Sequence, residues 1–444
     1  MTAAPFRIIE HVFPCQHIRD YPGATATEQE QVLSLSVKQY VPVDNPNPQP
    51  GDITIIGAHA NAFPKELYEP LWEEINNRAK AQGFRIRGIW MADVAHQGHS
   101  GVLNENVLGN DPSWLDHPRD LLHFINLKRD EMPRPIFGIG HSMGGCQLAN
   151  LALIHPRLFT SLVLLDPVIA RFDTEGHAFT FHTQGRSIPV TTAASTYRRD
   201  IWPSRSAATE TLKRNKFYQS WDPRVLDRWI KYGLRDLPTA IHPLPETSKA
   251  GDAEIPVTLS TTLHQEVFTF SRPNYSGDPA LNLPVNRATH PDLIPNAVGG
   301  YPFYRSEAHK TFLQLPYLRP SVLYVFADQS DISLPEFCEA KMQTTGTGMG
   351  GSGGAVEGRV KSVTLKGVGH LIAMEAVGQT ADLAAGWLGT EMGRWRDEER
   401  VFREEWNKKS KVEKMTIDEE WKRHVPPPKR RNGNGGEKKA EAKL

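Results

Sequence analysis

Pro135-Ile-Phe-Gly-Ile-Gly-His-Ser-Met-Gly-Gly145 is the stretch whose reading decides the rest of the chain. Ile136, Phe137 and Ile139 make a buried strand that breaks abruptly at Gly140-His-Ser-Met-Gly144. This is the G-x-S-x-G pattern, in which a serine sits on a strained strand-to-helix turn with its hydroxyl presented at the end of a sheet. Gly140 and Gly144 lack a Cβ, so the chain can fold tightly and the next helix can pack close. That helix is expected from Gly145 to about His155, its unpaired N-terminal amides aimed where an oxyanion would form. Five residues alone are weak evidence, since glycine and serine fill ordinary surface turns. Here the pattern follows an apolar strand and precedes Gln147-Leu-Ala-Asn-Leu-Ala-Leu153, the context the motif requires. Ser142 therefore reads as a nucleophile.

Working outward, short apolar runs alternate with helical patterns. Phe6–Phe13 and Leu33–Val41 read as an antiparallel pair at a sheet edge. Strands are expected at 53–57, 86–91, 162–165, 322–326 and 360–365, and helices at 68–81 and 114–128. This alternation implies an α/β fold with a mostly parallel sheet and helices on both faces. Between Pro167 and Pro320 the alternation lapses for far longer than a simple loop. The segment is rich in aromatics, among them Trp202, Phe217, Tyr218, Trp221, Trp229 and Tyr232, with helical spacing around Val225 to Leu234. We read four regions: a core (1–167), a mainly helical cap inserted over the strand ends (168–319), the rest of the core with a C-terminal helix (320–424), and a basic tail (425–444). The glycine-rich run Thr344–Gly354 lacks the ending of a phosphate loop and reads as a flexible loop near the site. Trp387, Met392, Trp395, Phe402 and Trp406 form a stripe that reads as core packing.

Composition excludes several classes. The 444 residues can bury a large core, and 51 basic against 51 acidic side chains leave no global field for nucleic acid. Three cysteines without C-x-x-C spacing argue against disulfides or zinc, and no metal or cofactor is called for. Cys146 reads as a small packing residue. No apolar run is long enough to span a membrane, and the N-terminus lacks a signal-peptide core. The tail, Pro/Gly-rich and polar, cannot bury itself. It ends in Ala442-Lys443-Leu444, a near variant of the C-terminal Ser-Lys-Leu peroxisomal address, which implies an import receptor as partner and the peroxisome as location. A homodimer is also compatible with the sequence.

A serine nucleophile needs a base, an orienting acid and oxyanion donors. His370, on Lys366-Gly-Val-Gly-His370 after the last strand, is the expected base among 17 histidines. Two aspartates obey the chain order. Asp166 ends the strand after the elbow helix, and Asp328 ends the next one. The turn Asp328-Gln-Ser-Asp331 reads as solvated. The oxyanion donors are expected to be the backbone amides of Met143 and of Asn61, the latter in the loop His59-Ala-Asn-Ala-Phe63.

Gly57-Ala-His-Ala-Asn-Ala-Phe-Pro-Lys-Glu-Leu-Tyr-Glu-Pro-Leu-Trp72, Ile89-Trp-Met-Ala-Asp93, Gly140–Gly145, Leu165-Asp-Pro167 and the terminal Ala-Lys-Leu together resemble one family. It is the fungal peroxisomal α/β-hydrolases of secondary metabolism, including hydrolases of host-selective toxin clusters and the acyl-CoA hydrolase of mycophenolic acid biosynthesis. The resemblance runs over nearly the whole chain and implies an α/β-hydrolase fold and a serine hydrolase acting on an acyl-CoA thioester. It assigns the acid to Asp166. The chain departs from that acyl-CoA hydrolase at Ala60-Asn61-Ala62, where a glycine-containing loop is expected. A carboxylesterase or lipase acting on an oxygen ester would use the same residues, and a non-catalytic binding protein of the same fold is the reading outside enzymes. Epoxide hydrolases and dehalogenases carry aspartate where Ser142 stands.

Overall fold

The computed structural model describes residues 4–171, 180–183, 186–245, 254–293, 301–425 and 427. The expected targeting residues Ala442, Lys443 and Leu444 lie outside the described residues. Met1–Met392 forms one compact unit and Gly393–Leu444 a second.

The first unit is built on an eight-stranded sheet. Its strands are β1 (Phe6–Pro14), β2 (Ser34–Pro42), β3 (Ile53–Ala58), β4 (Ile86–Ala92), β5 (Ile136–His141), β6 (Ser161–Leu165), β7 (Ser321–Ala327) and β8 (Val360–Leu365). They lie in the order β1-β2-β4-β3-β5-β6-β7-β8. β1 pairs with β2 and β2 with β4 antiparallel, and every other pairing is parallel. The inner strands β3, β5, β6 and β7 are buried along their whole length. That explains their near-continuous apolar composition, since a parallel strand covered on both faces has no polar side to show. Each fully buried Ile, Leu, Val or Phe contributes roughly 1.5–3 kcal/mol of transfer free energy.

Helices α1 (Glu69–Ala79), α2 (Gly98–Asn104), α3 (Asp116–Leu127) and α4 (Met143–Ile154) lie in the connections from β3 to β6. α4 packs on β3, β5, β6 and α3, and Met143 through Ala152 are all buried. It begins two residues earlier than the sequence suggested. Ser142, at φ 56° and ψ −118°, makes the whole turn by itself, so Met143 is already helical.

Between β6 and β7 the described residues include α5 (Pro223–Tyr232), α6 (Leu263–Phe270) and α7 (Glu307–Gln314). They also hold short antiparallel pairings, such as Leu234–Asp236 with Val257–Leu259, that helical periodicity did not suggest. α5 is tied to the core by ion pairs Arg228–Glu69 at 2.5 Å and Arg224–Glu74 at 2.9 Å. Trp221 and Trp229 set their rings edge-on to Phe63, with centroids 5.5 and 5.8 Å away.

Two expectations are corrected. The glycine-rich run is not near Ser142. It follows α8 (Pro335–Thr344) and precedes β8, which puts it at the amino ends of parallel strands, whereas Ser142 leaves the carboxyl end of β5. It is pinned there by bonds from the Gly346, Gly348 and Ser352 amides to the carbonyls of Leu315, Pro316 and Leu318. The aromatic stripe of the helix Val377–Lys408 is core only in part: Trp387 and Met392 are buried, while Phe402 and Trp406 are exposed and stack on each other.

Candidate active site

The site is assembled at the carboxyl ends of β5, β6, β7 and β8. Ser142 occupies the left-handed backbone region, which costs a residue with a Cβ roughly 1–2 kcal/mol. Its surroundings hold it there. The Ser142 amide donates to the Leu165 carbonyl at 2.9 Å, and the Val168 amide donates to the Ser142 carbonyl at 3.1 Å. A Cβ on Gly144 would sit 2.2 Å from the Ala58 carbonyl oxygen, and one on Gly140 would sit 2.6 Å from that of Gly144. The two glycines let helix, turn and β3 approach this closely.

Ser142 Oγ lies 2.8 Å from His370 Nε2, and His370 Nδ1 lies 2.6 Å from Asp166 Oδ2. With Nδ1–H donating to the carboxylate, Nε2 is left as the acceptor for the serine hydroxyl. Asp166 is buried and receives two further hydrogen bonds, from Ser330 Oγ at 2.5 Å to Oδ2 and from Ser333 Oγ to Oδ1. Burial alone would raise its pKa. The bonds from His370, Ser330 and Ser333 outweigh that and hold the carboxyl below its usual value of 3.8.

Asp328 is brought elsewhere. Its Oδ1 accepts from the Gly367 amide at 2.7 Å, and its own amide donates to the Leu365 carbonyl at 3.1 Å. It thus braces the turn that carries His370. Gly367 takes φ 71°, a conformation suited to glycine. The turn after Asp328 is not simply solvated, as its composition suggested, because Ser330 is buried with its hydroxyl on Asp166.

Behind the elbow, His141 is fully buried and makes two bonds. Its Nε2 lies 2.9 Å from the His370 carbonyl oxygen, and its Nδ1 lies 2.9 Å from the Tyr68 hydroxyl. The Tyr68 oxygen accepts from the Ala60 amide at 2.8 Å, so its proton goes to His141 Nδ1. His141 is therefore neutral with Nε2–H donating, and burial pushes its pKa down to about 3. One chain of bonds links the His370 backbone to the loop that carries Asn61.

The Asn61 amide, and the Met143 amide at the first residue of α4, have no hydrogen-bond acceptor among the described residues. The Asn61 side chain is engaged: Oδ1 accepts from Gln97 Nε2 at 2.6 Å and Nδ2 donates to the Glu266 carbonyl at 3.1 Å. Ala62, the next residue, has φ 69°. Sequence reasoning missed Tyr68, His141, Ser330, Ser333 and Gln97. His141 lies inside the quoted motif, but its partners come from distant parts of the chain.

The Alpha/beta hydrolase family model matches residues 56–383. The chain is 42% identical over 448 residues to the type I acyl-CoA thioesterase mpaH of Penicillium roqueforti, spanning 99% of each protein. It is 26% identical over 257 residues to the abhydrolase domain-containing protein AFT2-1 of Alternaria alternata, spanning 58% of this chain and 84% of that one. Among solved structures, the peroxisomal α/β-hydrolase Lpx1 of Saccharomyces cerevisiae superposes with a TM-score of 0.62 at 14% identity, covering 91% of this chain and 99% of that one, a likeness of fold. With a mostly parallel eight-stranded sheet, a strand–serine–helix elbow and a thioesterase relative matched from end to end, the chain belongs to the α/β-hydrolase family and is a hydrolase.

Proposed function

We propose that the chain is a serine hydrolase cleaving an acyl-CoA thioester, with Ser142 as nucleophile, His370 as general base and Asp166 as the orienting acid. The observation that carries the roles is the unbroken hydrogen-bond chain from Ser142 Oγ through His370 to Asp166. The thioester reading is supported by the full-length similarity to the Penicillium thioesterase.

In this mechanism His370 Nε2 takes the hydroxyl proton as Ser142 Oγ attacks the thioester carbonyl. The carbonyl oxygen becomes an oxyanion held by the Asn61 and Met143 amides. Asp166 stabilises the imidazolium and keeps its orientation. Collapse expels the thiolate, which His370 protonates. A thiol with a free pKa of about 8.5 leaves more readily than an alkoxide. Water, deprotonated by His370, then attacks the acyl-enzyme and releases the acid. The resemblance to secondary-metabolism hydrolases directs the search for the acyl group toward specialised metabolites.

The test is turnover of a panel of acyl-CoAs and matched oxygen esters by wild type and Ser142→Ala. Thioester preference with loss of turnover in the variant is expected. Retained turnover in the variant would remove Ser142 from the mechanism, and preference for the oxygen esters would make the enzyme an esterase. Peroxisomal residence through Ala442-Lys443-Leu444 belongs to the same proposal. Deleting those three residues from a tagged chain should leave it in the cytosol with its activity in vitro unchanged, and continued import of the truncated chain would contradict the address.

A further inference from the structure

Gln97 lies in the loop between β4 and α2, is fully buried, and belongs to none of the motifs above. Its carboxamide is bonded on both ends. Oε1 accepts from the Ala62 amide at 2.8 Å. Nε2 donates to Asn61 Oδ1 at 2.6 Å and to Thr269 Oγ1 at 3.0 Å. The orientation is not free to flip. The Ala62 amide can only donate, so the atom facing it must be the oxygen. Thr269 Oγ1 donates to the Gln265 carbonyl at 2.7 Å, which leaves its lone pairs to accept from Gln97 Nε2 and from His96 Nε2, the latter 2.9 Å away. Asn61 completes the set by donating from Nδ2 to the Glu266 carbonyl. The backbone under this set is strained, since Ala62 holds φ 69° with a Cβ in place.

We propose that Gln97 is a positioning residue for the oxyanion site: its carboxamide clamps Asn61 and Ala62 and ties both to α6, so that the Asn61 amide faces the position of the developing charge. The inference rests on the oxyanion role given to Asn61 above. Two features distinguish a clamp from ordinary packing. Gln97 reaches the residues on both sides of the peptide that follows the Asn61 amide. It also anchors them to α6, which comes from the 168–319 insertion rather than from the β3 loop itself. A left-handed alanine in a loop would otherwise relax toward a more populated conformation and rotate the amide away. Oxyanion donors act by being fixed before the charge appears, so a small rotation is felt in the transition state and hardly at all in the ground state.

The test uses full-length Gln97→Ala and Gln97→Met, with kcat and KM on the best acyl-CoA and Ki for a trifluoromethyl ketone analogue whose adduct carries the oxyanion. The expected result is a fall in kcat of about 10- to 100-fold with KM nearly unchanged, and a Ki raised in proportion to the loss in kcat/KM. Unchanged kcat, or a loss carried by KM with Ki unaltered, would overturn the proposal. Should both variants fail to fold, Thr269→Val, which keeps Gln97 and removes the α6 hydroxyl that it shares with His96, is read in the same way. A loss of about 3- to 10-fold with the same split is then expected, and none overturns the clamp. Ser142→Ala run alongside separates the two levels. Turnover persisting in that variant removes the underlying mechanism and the clamp with it, whereas an inactive Ser142→Ala beside wild-type-like Gln97 variants removes the clamp alone.

Discussion

Asp166 holds His370 across 204 residues of sequence: Oδ2 stands 2.6 Å from Nδ1, while Asp328, one strand later, bonds the Gly367 amide instead. The two aspartates should therefore respond differently to the same substitution. Asp166→Asn replaces the acceptor that selects the His370 tautomer, and a loss of about 10⁴ in turnover is expected by analogy with the protease triad. Asp328→Asn keeps an oxygen for the Gly367 amide and should lower turnover by no more than about 3-fold. Steady-state kinetics on both variants, with circular dichroism as a check on folding, distinguishes the two; the opposite ranking would give the orienting role to Asp328.

Ser330 and Ser333 should set the acid limb of stability. Asp166 has its folded pKa depressed, so its contribution is fully present above the usual 3.8 and is lost as pH falls through the folded value. Burial, the largest effect, works against ionisation, and the two hydroxyls are part of what overcomes it. Ser330→Ala with Ser333→Ala should destabilise the protein by about 1.5–3 kcal/mol at neutral pH. The difference from wild type should shrink near pH 3, where protonation has begun to remove the contribution in both. Denaturant unfolding at the two pH values reads it. A difference independent of pH would mean that the hydroxyls act only in packing.

Four buried histidines should make the fold acid-labile. His59, His96, His117 and His141 all have their pKa lowered, first by burial, with His96 and His141 brought down to about 3. Stability that depends on their neutral forms is complete above the usual 6.5 and declines as pH falls toward those values. Between the two limits each histidine removes about 1.4 kcal/mol per pH unit. His117 is the informative one, because neither ring nitrogen has a hydrogen-bond partner among the described residues. His117→Phe should flatten the pH dependence between about pH 6 and about pH 4 without breaking a hydrogen bond. Equal slopes in wild type and variant would contradict this.

Gly144 and Gly386 should respond oppositely to alanine. A Cβ at Gly144 meets the Ala58 carbonyl oxygen at 2.2 Å, and neither backbone can yield without opening the elbow. Gly144→Ala should cost about 3 kcal/mol or more and remove activity. Gly386 lies inside a helix with nothing within 4 Å of the added atom. Gly386→Ala should stabilise by about 0.5–1 kcal/mol with turnover unchanged. Thermal melts of the pair provide the comparison.

The elbow, the buried strands beside it and the position of His370 after the last strand were legible because each is written in consecutive residues. A run of β-branched and aromatic side chains, a glycine pair that permits a tight turn and the apolar helix that follows are local properties of the chain. The parallel α/β sheet followed from their alternation. What the sequence could not carry was any relation across the sheet. Asp166 and Asp328 both end apolar strands and both precede His370, and nothing in their immediate sequences says which faces it. Only the folded geometry separates them, with Asp166 on His370 Nδ1 and Asp328 on the Gly367 amide. The polar turn beyond Asp328 looked solvated because a serine's hydroxyl carries no sign of its partner, and Ser330 finds Asp166 only once β6 and β7 are adjacent. The glycine-rich run was misplaced for the same reason, since which end of a strand a loop occupies depends on the direction of its neighbours. Gln97 had no local signature at all. Its bonds reach 36 residues back to Asn61 and 172 forward to Thr269. Turn chemistry and apolar periodicity are decided by neighbours in the chain, whereas a clamp of this kind exists only after folding has closed two long loops around it.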